Sequence, residues 1–141
     1  MATILIADDS EDDVVLLRRA LESAGVTNAF TVLQDGNEVL KYLGGEPPFD
    51  NREKYPLPPL LFLDLKLSRR DGFEVLSWIR SHAELHNLQV FVVSGRDDLG
   101  TVRRAYELGA TSFLRKPYDP VDLENLLRGF PQFWTRALPS P

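Results

Sequence analysis

The sequence predicts an α/β domain built on a five-stranded parallel sheet with helices on both faces, a doubly wound (βα)5 arrangement. Three observations carry that prediction. Five short apolar runs alternate with stretches whose apolar residues recur at helical spacing, and parallel strands need crossovers of that kind. The runs ILIA, LLFL and VFVV are continuously apolar, the pattern of strands covered on both faces. The length of 141 residues, 43% of them hydrophobic, suits one domain with one core.

Each element has its own signal. Thr3–Ala7 reads as the first strand, closed by Asp8, Asp9 and Ser10. Ser10 is placed to cap the helix that follows, with Asp13 three residues on as a carboxylate variant of the capping box. Val14, Leu17, Leu21 and Ala24 share one face of that helix, and Gly25 suits its end. Ala29–Leu33 is a second strand, punctuated by Asp35-Gly36, and Asn37–Leu43 a short helix. The stretch GGEPPFDNREKYPLPP, residues 44–59, holds half of the ten prolines and is expected to be a long surface loop. Leu60–Leu63 runs straight into Asp64. After LKLSRRDG, Phe73–Ser81 is helical. Val90–Val93 is the fourth strand, ending at Ser94-Gly95. Asp98 to Leu108 is a helix expected to turn Val102, Ala105 and Tyr106 inward, and Gly109 stops it. Ser112–Arg115 forms the fifth strand before Lys116-Pro117. The last helix starts near Pro120 and carries Leu123, Leu126, Leu127 and Phe130 at helical spacing.

Composition excludes several function classes. Without cysteine there is no disulfide framework, thiolate zinc site, iron–sulfur cluster or thiol nucleophile. A net charge of -5 argues against nucleic acid as a partner, because phosphate neutralisation needs a basic face. No apolar run reaches membrane-spanning length, and MATILIADDS turns acidic too early for a signal peptide. A cytoplasmic protein without membrane attachment is the expectation.

Ligands of open parallel α/β sheets bind beyond the carboxyl ends of the strands. What those ends deliver here is Asp8 and Asp9, Asp64, Ser94 and Lys116. Three carboxylates gathered at one edge repel each other, and a hard cation relieves the repulsion. Oxygen ligands in a partly hydrated site suit Mg²⁺. One such carboxylate can then serve as a nucleophile toward phosphorus, with Lys116 and the Ser94 hydroxyl available to hold phosphoryl oxygens. Glu11, Asp12 and Asp13 need no such role, since acids at a helix start are favoured by its dipole. His82 and His86 lack a third metal ligand and read as surface residues.

Taken in order, Asp8-Asp9, Asp64, Ser94 and Lys116-Pro117 resemble the motif of the receiver domain of two-component response regulators, a flavodoxin-like fold. The match spans residues 1–130 and leaves 131–141 as a C-terminal tail. The resemblance implies that Asp64 accepts a phosphoryl group from a sensor histidine kinase, with Asp9, Asp64 and the Lys66 backbone carbonyl as direct Mg²⁺ ligands. Asp8 would act mainly through water, Ser94 and Lys116 would hold phosphoryl oxygens, and the Lys116–Pro117 bond would be cis. Phe113 stands at the family's switch aromatic and would turn in behind Ser94. It would then be a phosphoacceptor signalling protein whose only chemistry is self-catalysed phosphotransfer and autodephosphorylation.

Some positions depart from the usual pattern. Ser94 stands for threonine, Ser68 for a proline, and Phe113 lacks a tyrosine hydroxyl. Lys66 and Arg96, two residues past Asp64 and Ser94, are expected to flank the path of attacking water. A haloacid-dehalogenase-type phosphatase would need an acid where Lys66 stands. A flavodoxin-like cofactor protein would need a phosphate loop where Asp8-Asp9-Ser10-Glu11 stands. The insert at 44–59 and the tail PQFWTRALPSP are similar to those of single-domain regulators that partner phytochrome-type kinases. Those regulators tend to homodimerise, so Phe130, Phe133, Trp134 and Leu138 either fold back on the domain or form dimer contacts, the second being the expectation. With the chain ending at Pro141, output is expected to be a downstream protein contact or onward phosphotransfer.

Overall fold

A computed structural model describes residues 3–136. Its strands are β1 (Ile4–Ala7), β2 (Phe30–Leu33), β3 (Leu60–Asp64), β4 (Gln89–Ser94) and β5 (Ser112–Arg115). They form one parallel sheet in the order β2-β1-β3-β4-β5. The crossover helices are α1 (Glu11–Ser23), α2 (Gly36–Gly44), α3 (Gly72–Arg80) and α4 (Leu99–Glu107), and α5 (Pro120–Gly129) follows β5.

The strands alternate between two cores, as the period of two requires. Leu5, Ala7, Leu61, Leu63, Val90 and Val92 face α2 and α3 residues such as Val39, Tyr42, Val75, Leu76 and Ile79. Ile4, Ile6, Leu60, Phe62, Phe91 and Val93 face Val14, Leu17 and Leu21 of α1 and Leu123, Leu126 and Leu127 of α5. Each expected strand and helix is present, with ends shifted by a residue or so.

Three expectations change in detail. Ser10 caps α1 by accepting from the Asp13 amide at 3.3 Å, but the return half of the capping box comes from Asp8, whose Oδ1 accepts from the Ser10 amide at 2.9 Å. Asp13's carboxylate is drawn elsewhere. In α4 the inward face is Ala105 alone among fully buried residues, while Tyr106 is exposed, because that short helix lies over a small part of the sheet. The 44–59 connection is a loop as expected, yet it is pinned from within. The Arg52 guanidinium donates to the carbonyls of Tyr42, Leu43 and Tyr55, and the rings of Tyr42, Phe49 and Tyr55 cluster edge to face or tilted.

The beginning of the tail belongs to the domain. Thr27 N–H donates to the Thr135 carbonyl at 2.7 Å, and Arg136 bridges antiparallel to Val26. Buried Asn28 accepts from the Thr135 amide and donates to the Phe133 carbonyl. Trp134 lies 8% exposed, with its ring 6.1 Å from that of Phe62 and 6.2 Å from that of Phe91. Trp134 is therefore a core residue of its own chain; hydrophobic burial beside two phenylalanines decides its place. Leu138 lies outside the described residues. Among the described residues no helix is long and apolar enough to cross a membrane.

Candidate functional site

Strand register assembles the site. Ala7 pairs with Leu63, so Asp8 and Asp64 stand side by side as the next residues of adjacent strands. Asp64 pairs with Val93, which puts Ser94 one residue further along β4, and Ser94 pairs with Arg115, the residue before Lys116. The Lys116–Pro117 bond is cis. The turn after Asp64 is closed by Gly72. A Cβ there would come within 2.6 Å of the Asp64 carbonyl oxygen, so only glycine lets α3 start so close to the strand end.

The Lys116 ammonium sits among three carboxylates. It donates to Asp8 Oδ2 at 3.0 Å, Asp64 Oδ2 at 3.0 Å and Asp13 Oδ2 at 2.8 Å. Asp64 uses its other oxygen, Oδ1, to accept from the Lys66 amide at 3.0 Å. Asp8 and Asp64 are each 5% exposed. One oxygen from each of Asp8, Asp13 and Asp64 lies within 4.8 Å of the others.

One ammonium cannot neutralise three carboxylates, and the remaining excess is negative. Burial pushes the Asp8 carboxyl up to about 6, with the Asp64 charge adding to the rise and the Ser10 amide and Lys116 opposing it. For Lys116, burial alone would lower the ammonium's pKa, but the bonds to Asp13, Asp64 and Asp8 outweigh it and hold the group well above its ordinary value. Both directions follow from a buried site in which carboxylates outnumber the one ammonium. An all-oxygen donor set with surplus negative charge fits a hard divalent cation and offers nothing to a soft one.

Not every expected residue joins this cluster. Asp9 is exposed on the rim, where it lines a shallow cavity of about 260 Å³ with Asp8, Glu11 and Gln34. Ser94 is buried, and its hydroxyl accepts from the Arg96 amide at 3.0 Å. The Lys66 side chain is exposed beyond the cluster. Phe113, half-buried on β5, packs on the α2–α3 core and borders an open groove of about 510 Å³ with Asp97, Arg115, Asp122 and Phe130.

Two residues at the site escape sequence reasoning. Asp13 is one, because an acid in the first turn of a helix already has a sufficient explanation in the dipole. Tyr118 is the other. It packs against the α1–α5 core, its hydroxyl is buried without a hydrogen-bond partner among the described residues, and burial pushes its pKa far up. Nothing in the spacing of Lys116-Pro117-Tyr118 marks that hydroxyl as buried.

Comparison with known proteins agrees with this geometry. Residues 4–128 match the response regulator receiver domain family. The response regulator Rcp1 of Synechocystis is 29% identical over 138 residues, covering 98% of this chain and 92% of Rcp1. The bacteriophytochrome response regulator RtBRR superposes with a TM-score of 0.84 at 30% identity, covering 100% of this chain and 84% of RtBRR. The Mn(2+)-bound form of Rcp1 superposes with a TM-score of 0.77 at 30% identity, covering 99% of this chain and 100% of that structure. A family match across nearly the whole chain, joined to a five-stranded parallel sheet that superposes on response regulators, makes this protein a member of the response regulator receiver family, which serves phosphorelay signalling.

Proposed function

We propose that Asp64 accepts a phosphoryl group from the phosphohistidine of a sensor kinase. The observation that carries this reading is the Asp64 carboxylate, buried at a strand end with one oxygen on the Lys116 ammonium and the other on the Lys66 amide. In the transfer, an Asp64 oxygen attacks phosphorus as the bond from phosphorus to the imidazole nitrogen breaks, and the electron pair returns to the imidazole. Lys116 supplies a fixed positive charge to a phosphoryl oxygen, and Ser94, on the next strand, supplies a hydroxyl. In autodephosphorylation a water oxygen, arriving past the exposed side chains of Lys66 and Arg96, attacks phosphorus as the bond from phosphorus to the Asp64 oxygen breaks; Asp64 is left as carboxylate and the water's protons leave on inorganic phosphate.

Mg²⁺ is the proposed cofactor: Asp9, Asp64 and the Lys66 carbonyl would hold it directly and Asp8 mainly through water, and the existence of a Mn(2+)-bound form of the relative Rcp1 supports a divalent ion. When bound, it neutralises the carboxylates and the incoming phosphoryl oxygens. The likeness to bacteriophytochrome response regulators supports a phytochrome-type kinase as the phosphodonor partner. Output is assigned to the surface of α4, β5 and α5, where Leu99 and Tyr106 are exposed and Phe113 lies beside the groove, and self-association to the C-terminal tail.

The test is incubation of wild type and Asp64→Asn with a small-molecule phosphodonor and Mg²⁺. Intact-mass measurement is expected to show one base-labile phosphoryl group on wild type and none on Asp64→Asn. Equal labelling of the two overturns the assignment.

A further inference from the structure

We propose that the start of α2 is a brace for the turn that follows Asp64: Gly36 and Asn37 hold a strained residue, Arg69, in place and so fix the turn that carries the Lys66 carbonyl. This deepens, and rests on, the reading of Asp64 and Lys66 as cation ligands. The turn is tied at its ends. Leu65 donates to the Val93 carbonyl at 3.2 Å and accepts from the Gly72 amide at 3.0 Å. Leu65 and Leu67 are buried on either side of exposed Lys66, whereas Ser68, Arg69 and Arg70 at the tip are all exposed.

The tip is strained. Arg69 is the one non-glycine residue with positive φ among the described residues, at 69°. The Arg70 amide donates back to the Ser68 carbonyl at 2.8 Å, which closes a γ-turn of the rare positive-φ form. A residue with a Cβ avoids that region, so the tip left alone would relax. What holds it comes from α2. The Ser68 carbonyl accepts a second bond, from the Gly36 amide at 3.1 Å, and Ser68 bridges Asp35 in parallel. Asn37 Oδ1 accepts from Arg70 Nε at 2.8 Å. One Asp35 oxygen caps α2, and the other lies 3.5 Å from the Arg69 guanidinium. The approach is close: a Cβ on Gly36 would stand 2.5 Å from the Arg70 carbonyl oxygen. Buried Val39, Tyr42 and Leu43 anchor α2 in the core, so the helix is the fixed partner and the tip is the held one. Asn37 and Arg70 are therefore positioning residues. Releasing them lets Arg69 relax, and the shift passes along the chain to Lys66.

Calorimetric titration of the full chain with Mg²⁺ tests this. Asn37→Ala and Arg70→Ala are expected to bind Mg²⁺ about three- to tenfold more weakly than wild type, a smaller loss than removing a group bonded directly to a metal ligand. Charge alone predicts the opposite for Arg70→Ala, because losing a cation beside an acidic site tightens cation binding. The double variant is expected to lose no more than either single one, since both remove the same bond. Glycine adopts positive φ freely, so Arg69→Gly is expected to restore Mg²⁺ affinity in the Asn37→Ala background. Arg52→Ala frees the opposite end of α2 and is expected to lower the melting temperature while Mg²⁺ affinity stays level. Unchanged or tighter binding by Asn37→Ala or Arg70→Ala overturns the proposal, as does a loss that Arg69→Gly fails to recover or an equal loss in Arg52→Ala. Wild type that binds Mg²⁺ while the Asn37 and Arg70 variants stay level sinks this inference alone; wild type without saturable binding sinks the cation-site reading with it.

Discussion

The α1–α5 side of the sheet and the α4 side are held in opposite ways. On the first, buried residues of both helices meet the sheet, and the chain from Phe133 to Arg136 returns to fasten them. The Arg136 guanidinium makes a fork with Glu124 of α5 at 2.7 and 3.0 Å and also donates to the Ala24 carbonyl at the end of α1. On the other side, α4 has Ala105 as its one fully buried residue, with Leu99 71% and Tyr106 47% exposed. The Arg104 guanidinium over the Phe73 ring, 4.2 Å from its centroid, ties α4 to α3. The contrast teaches where a receiver can afford movement. The side that carries Asp13 is clamped, and α4, which begins just past Ser94, has few buried anchors.

Substitutions sharpen the contrast, beginning with the largest effect. Trp134→Ala is expected to cost about 3–5 kcal/mol, the range for emptying a large aromatic from a core. Chemical denaturation checks it, and a loss below about 1 kcal/mol would mean the tail does not form part of the core. Gly72→Ala is expected to cost about 1–3 kcal/mol, because its Cβ meets the Asp64 carbonyl and Leu65 Cα and the neighbouring backbone must shift. The same variant should weaken Mg²⁺ binding in calorimetry, since the displaced turn carries Asp64 and Lys66, whose carboxylate and carbonyl are the proposed ligands.

On the α4 side, Arg104→Ala is expected to cost about 0.5–1 kcal/mol, the value of an exposed cation–π contact. Hydrogen exchange should then rise in α4 and remain unchanged in α1. Equal increases in both helices would erase the distinction between the two sides.

The smallest effect concerns the Arg136–Glu124 fork and pH. The hydrogen bond from Arg136, with the charges of Arg136 and Arg128 helping, holds the Glu124 carboxyl below the usual glutamate value. The unfolded chain therefore takes up this proton first as pH falls, so the stabilisation is present above about pH 4.5 and is lost below it. Glu124→Gln is expected to melt below wild type at pH 7, with the gap closing as pH falls below about 4.5. A gap independent of pH would contradict the pairing.

Much of this fold is written locally. Runs such as TILIA and LLFL declare buried strands, and Asp8 and Asp64 declare themselves by ending such runs without an adjacent base. The clamp is not local: Thr27 and Asn28 meet Phe133 and Thr135 across more than a hundred residues, and no periodicity encodes that meeting. Tyr106 has helical spacing with Ala105 and Val102 yet points outward, because spacing defines a face but not how much sheet lies beneath it. Asp13 is hidden for a different reason. Its residue type and place satisfy the ordinary rule for helix starts, and that rule is silent about a lysine arriving from β5.

The most direct test of the central claim is chemical trapping of the phosphorylated site. Wild type treated with phosphodonor and Mg²⁺, then reduced with sodium borohydride, converts an aspartyl phosphate to homoserine, which peptide mass spectrometry can place. The account predicts homoserine at position 64 alone. Homoserine in the peptide carrying Asp8, Asp9 and Asp13, or none anywhere on a protein that has gained phosphate, would contradict it.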